Sequence, residues 1–221
     1  MNKIVDWTAS NEMKLNCEKT KYMIFNFCKS LQFQTRIQID QSLLEQVHQM
    51  KLLGVIISDD LTWHENTKYL VKRSYMRMTI LRKLYEFKVN TEDLVLIYIL
   101  YIRSLVEQNC VVWSSSITKE EIDSIERVQK IALRLIFREK YGSYTHALQL
   151  SGLPTLCDRR YQLSLSFALK TAQNSKTNNM FPQNPVSKTR HSEKYLVPHA
   201  YTERYKKSAI PFMARQMNIE E

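Results

Sequence analysis

The sequence predicts an α+β chain, a small antiparallel sheet followed by a mainly α-helical domain. Three observations carry that expectation. Lys51–Ile57 is a short apolar, β-branched run ended by the Asp59-Asp60 turn, as a buried strand would be. From Trp63 onward, apolar residues recur at helical spacing. Upstream of Lys51, the runs are short and alternate with polar residues. The expected divisions are a partial α/β segment over 1–62, a helical domain over 63–174, a polar linker or mobile loop over 175–194, and a C-terminal extension over 195–221.

Taken in order, Ile4, Val5, Trp7, Met13 and Leu15 suggest one amphipathic helix ending near Leu15 or Asn16. Lys21–Phe27 is aromatic and β-prone. Arg36–Asp40 alternates cleanly, Leu43–Val47 follows after a polar turn, and Lys51–Ile57 adds a third strand, with Gly54 read as a bulge or close approach. Between Trp63 and Phe87, Leu70, Val71, Met78, Leu81 and Tyr85 share one arc at 100° per residue. Lys68, Lys72, Arg82 and Lys83 share the neighbouring arc. Asn90-Thr91 caps a helix over Thr91–Gln108 that is apolar on all sides. It is expected to be central, buried and too short to span a bilayer.

Thr118 and Glu121 have the spacing of a capping box. The helix they open carries Ile122, Ile125, Val128, Ala132, Leu135 and Ile136 on one face. Arg127, Lys130, Arg134 and Arg138 lie within about a quarter turn on the opposite face. A solvated face and a phosphate-binding face both fit this pattern, since bases in a last turn also suit the helix dipole. Short helices follow over Tyr144–Leu150, from Pro154 to about Asn174, and over Ala209–Met217.

Composition narrows the chemistry. The chain has 221 residues, 44% hydrophobic, and a formal net charge of +10. A balance that basic points to a polyanion, nucleic acid before membrane. Three glycines, Gly54, Gly142 and Gly152, cannot build a P-loop or a dinucleotide fingerprint, both of which need clustered glycines. Cys17, Cys28, Cys110 and Cys157 are isolated, with no metal-ligand spacing, and read as buried thiols of a reducing compartment. No leader or membrane-spanning run is apparent, so an intracellular protein is expected. Asp59-Asp60 is the one adjacent acid pair at a strand end. It reads as a turn rather than a two-metal site, for want of a third acid on a neighbouring strand. Trp7, Trp63 and Trp113 are read as packing anchors before base-stacking platforms.

Several motifs succeed one another along the chain. They are Trp7, Asn11, Met13, Leu15-Asn16, Lys19-Thr20, Met23 and Phe25; then Leu53-Gly54-Val55 through Leu61 and Trp63-His64. After them come Tyr98 through Val112-Trp113, then Ile125, Gln129, Ala132-Leu133-Arg134 and Ile136; Leu153-Pro154-Thr155-Leu156 with Arg159-Arg160; and Lys207 through Pro211. In this order they resemble the C-terminal part of a non-LTR, LINE-type retrotransposon reverse transcriptase. The resemblance implies the end of a palm, a primer-grip region and a thumb, with Lys19, Gly54 and Trp63 at family-motif positions. It also implies that the catalytic aspartates precede the segment, so that this chain alone would not polymerise DNA and magnesium would enter only with an upstream palm. No cofactor is expected in the chain itself. The implied partner is the backbone of template–primer nucleic acid, met by Lys68, Lys72, Arg82, Lys83, Arg127, Lys130, Arg134 and Arg138. The alternatives are a domesticated or truncated remnant acting as an interaction or structural protein, for instance as a dimer covering severed strand edges, and a fragment without function.

Overall fold

The computed structural model describes residues 2–27, 36–39, 42–185 and 193–219. The chain forms two compact units, one spanning Met1–Glu65 and the other running from Asn66 onward.

In the first unit, α1 spans Asn2–Ser10. It stops earlier than its apolar pattern suggests because polar side chains close its last turn. Ser10 donates to the Asp6 carbonyl and Asn11 to the Trp7 carbonyl, and Glu12 turns left-handed at φ 54°. Among the described residues, six short strands follow, β1 (Lys21–Tyr22), β2 (Gln38–Ile39), β3 (Ser42–Leu43), β4 (Glu45–Gln46), β5 (Gln49–Leu52) and β6 (Val55–Ser58). They pair two by two, β1 with β4 in parallel, β2 with β3 and β5 with β6 antiparallel. The α+β class thus holds, with small two-stranded sheets in place of one antiparallel sheet. Lys21–Phe27 is a strand only where β4 offers a ladder, and there the Lys21–Glu45 pair at 2.8 Å ties the register. Asp40 and Cys28 lie outside the described residues.

The expected single strand over Lys51–Ile57 is instead the hairpin β5–β6. Leu52 pairs with Val55, leaving Leu53-Gly54 as a two-residue loop with φ of 48° and 90°. Two successive positive φ values define a type I′ turn, whose twist matches that of the flanking strands. Gly54 is therefore the second turn residue and not a bulge.

In the second unit, α2 spans His64–Glu86 and buries Leu70, Ser74, Met78 and Leu81. Asn90 caps α3, Thr91–Ile97, by accepting from the Asp93 N–H. The helix continues as a π segment over Tyr98–Arg103 and as α4, Ser104–Glu107. Asn109, at φ 52°, breaks it before α5, Cys110–Trp113. The run buries only one side. Leu94, Tyr98, Ile102 and Val106 are in the core, whereas Leu96 is exposed and Leu100 is 66% exposed. Thr91–Trp113, at 23 residues, is also long and apolar enough by length and composition to cross a membrane, contrary to the shorter run read from sequence. Within the unit it packs as a core helix, its buried Arg103 facing Glu107 at 2.7 Å. That pair is held by charge, because the Arg103 Nε–H does not point at the carboxylate.

The capping box forms as expected. Thr118 Oγ1 accepts from Glu121 N at 3.3 Å, and Glu121 Oε2 accepts from Thr118 N at 2.7 Å, opening α6, Lys119–Phe137. One 3₁₀ turn, Arg138–Lys140, leads to α7, Tyr144–Ser151, which ends on left-handed Gly152. Next comes α8, Leu156–Gln173, capped by Thr155. Met78, Leu81, Leu94, Tyr98, Val128, Leu133 and Ile136 form the main core.

A second core joins α8 to α10, Ala209–Ile219, through Ala168, Phe181, Tyr195, Met213 and Met217. The described part of the span read as a linker is packed here. Asn178–Met180 is a 3₁₀ turn, Phe181 is buried, and Gln183 bridges to Tyr195. Its polar composition conceals Phe181, whose burial favours packing of this described part. Glu203–Lys206, α9, precedes the last helix and is capped by Thr202.

Candidate nucleic-acid interface

The site lies where the C-terminal halves of α2 and α6 border a cavity of about 370 Å³. Arg82 and Glu86 line it from α2. Ile131, Arg134 and Leu135 line it from α6, and Arg138 from the cap that ends α6. Arg138 leaves the helix at φ 40°, which breaks the arc expected from a continuous helix. Its guanidinium carbon instead sits 4.1 Å from the Tyr85 ring centroid. Stacking fixes the plane of the guanidinium and leaves its N–H edge free to meet an oxyanion.

Two strips that sequence reading placed on separate helices therefore converge on one groove through three of their members. The apolar floor, Ile131 and Leu135, belongs to side chains packed against the main core. No ion pair engages Arg82 or Arg134 among the described residues, and Glu86 is the one acid in the lining. Three guanidinium groups against one carboxylate leave the groove positive. The geometry can hold phosphate oxygens at its mouth.

The other expected residues spread away from this centre. Lys130 and Arg127 continue along α6, about 6 and 10 Å from Arg134 by helical rise, and both are exposed. The Lys130 ammonium lies 5.2 Å from the centroid of the Tyr144 ring. Lys72 and Lys68 precede Arg82 by about 15 and 21 Å along α2. Lys83 is exposed beside the groove without lining it. Lys19 is an exposed residue of the first unit, Gly54 is in the hairpin turn, and Trp63 is half-buried just before α2. Tyr85 was assigned to the core arc. Its second role, as the platform under Arg138, depends on how α6 ends and has no signature in the periodicity.

Behind the groove, buried hydrogen bonds set the spacing of the helices. Tyr98 O–H donates to Gln129 Oε1 at 2.7 Å. Gln129 Nε2 donates to the Tyr144 hydroxyl at 3.0 Å and to the Pro154 carbonyl at 2.9 Å. Tyr144 donates in turn to Glu126, whose carboxylate also receives the backbone N–H groups of Leu156 and Cys157 at 3.1 and 3.2 Å. Burial and the bond to Glu126 both raise the Tyr144 phenol above its ordinary value, and burial does the same to Tyr98.

Asp59 and Asp60 act as turn residues. Asp59 Oδ2 lies 2.6 Å from His48 Nδ1, and Asp60 accepts from the Thr62 backbone at 3.0 Å. Among the described residues, no group of three or more histidine, cysteine or acidic side chains is placed to hold a metal. Trp113 is wholly buried and donates to the Gln108 carbonyl at 3.0 Å, an anchor as expected, whereas Trp7 is 58% exposed.

No family model, no curated protein and no solved structure matches the chain.

Proposed function

We propose that this chain is a palm end and thumb of reverse-transcriptase type that grips nucleic-acid duplex through its backbone, without reading sequence. The observation that carries the reading is the convergence of Arg82, Arg134 and Arg138 on one groove, with Arg127 and Lys130 continuing the line along α6. A row of cations on a helix face follows a phosphate backbone, and guanidinium forks suit phosphate oxygens. A formal charge of +10 adds long-range attraction. The motif succession from Trp7 to Pro211 supplies the type of parent protein, and an intracellular site of action goes with it. No catalytic step is assigned to the chain.

The test is binding of a fluorescent RNA–DNA hybrid over a range of salt concentrations. Affinity should fall log-linearly with salt and be the same for unrelated sequences. Each groove arginine changed to alanine should flatten the slope by about 0.9. Salt-independent affinity, or a slope untouched by Arg82→Ala with Arg134→Ala, would sink the reading.

A second reading rests on exposed apolar surface in the first unit, where Trp7, Phe27 and Leu53 face outward. Surface of that kind suits a partner protein or a second copy. Sedimentation of the full chain separates the two, since a monomer at all concentrations removes self-association.

A further inference from the structure

A second cavity, of about 200 Å³, opens between the first turns of α8, the α5–α6 connection and α10. Its polar lining includes Ser115, Ser164 and Arg160, and its apolar wall Ile117, Ile122 and Phe212. Arg160 is only 3% exposed, and its Nη1 makes no hydrogen bond to any protein group among the described residues. The Ser115 hydroxyl is in the same condition. A buried charged group with one N–H donor left without a partner is unfavourable, and burial pulls the Arg160 pKa below its ordinary value.

The acids within electrostatic reach of Arg160 are engaged elsewhere. Glu107 lies 2.7 Å from Arg103 and 3.3 Å from Arg159. Glu126 receives Tyr144 and the first amides of α8. On its other side, Arg160 lies over the buried Trp113 ring at 6.0 Å, which offers weak attraction and no hydrogen-bond acceptor. The structure therefore lines one cavity with a guanidinium N–H and a serine hydroxyl that lack protein partners among the described residues, together with the apolar side chains of Ile117, Ile122 and Phe212.

We infer that this cavity binds a small organic carboxylate, its oxygens held by Arg160 and Ser115 and its apolar body seated against Ile117, Ile122 and Phe212. A carboxylate oxygen can accept a charge-assisted hydrogen bond from the open Arg160 Nη1–H group. A single guanidinium, with Glu107 and Glu126 close enough to offset part of its field, suits a monoanion better than a doubly charged phosphate. The volume is below that of drug-sized pockets, so the ligand is small.

Isothermal titration of the full chain with benzoate tests this, with benzamide and inorganic phosphate as the matched probes. The expected result is one saturable site for benzoate, at least about tenfold weaker binding of neutral benzamide, and no competition by phosphate. Benzoate should also slow alkylation of Cys157, an exposed thiol that lines the cavity. Arg160→Met should abolish the benzoate heat. Should that variant misfold, Ser115→Val retains the guanidinium and should weaken benzoate several-fold. Arg82→Ala should leave it unchanged, which separates this site from the basic groove. No saturable benzoate binding in the millimolar range overturns the inference. So does equal binding of benzamide, and phosphate binding tighter than benzoate overturns the ligand class.

Discussion

The Tyr98 phenol donates to Gln129 Oε1 at 2.7 Å, joining two helices across 31 positions of sequence inside an otherwise apolar core. Tyr98 is the first residue of the π segment. Gln129 then spends its amide N–H groups on Tyr144 and Pro154. This chain of bonds sets how the central helix, α6 and the start of α8 stand to one another, and thereby the position of the face that carries the arginines. Tyr98→Phe should cost about 1–3 kcal/mol, because it strands a buried amide oxygen. Urea unfolding checks it, and a loss indistinguishable from zero would mean that the bond is idle.

The groove and the outlying lysines can be separated at equal charge. Arg82→Ala with Arg134→Ala removes two cations, and so does Lys68→Ala with Lys72→Ala. If the convergence matters, the arginine pair should flatten the salt dependence of hybrid binding by about 1.8 and the lysine pair by less than half of that. Equal losses would indicate a diffuse positive field with no defined groove.

Leu53 holds a left-handed backbone, φ 48°, a conformation that asparagine adopts more readily than leucine, and its side chain is 87% exposed. Leu53→Asn should therefore stabilise the β5–β6 hairpin by about 0.5 kcal/mol. Gly54→Ala, at φ 90°, should destabilise it by about 1 kcal/mol or more. Amide exchange of Val55 to Ser58 reads both changes, and slower exchange in the alanine variant would contradict the turn assignment.

Burial pushes the Cys110 thiol up from an ordinary 9.0 to about 11. A thiol whose folded-state pKa is raised binds its proton more tightly in the native protein. Its contribution to stability is complete below about pH 9 and is lost as pH rises through about 11. Unfolding measured across that window should show stability declining, and less steeply in Cys110→Ala. At pH 8, iodoacetamide should label the exposed Cys157 and leave Cys110 intact. Equal labelling would place Cys110 in solvent.

The sequence by itself determined the helical elements and several of their ends. Periodicity and caps are local, so Thr118 with Glu121, Asn90 and Gly152 mark their boundaries through neighbours three or four positions away. It also determined which faces are basic, because 3.6 residues per turn sorts Lys68 with Arg82 and Arg127 with Arg134. Only the tertiary structure decided that Arg82 meets Arg134 and Arg138 across one groove while Lys68 and Lys72 remain far along α2. That meeting depends on where two helices cross and on the left-handed turn that ends α6, neither of which is written in the period of one helix. The strands were least legible for the same reason, since a strand exists only where a partner takes its hydrogen bonds. Lys51 to Ile57 folded back at Leu53-Gly54 because two positive φ angles there let the run pair with itself.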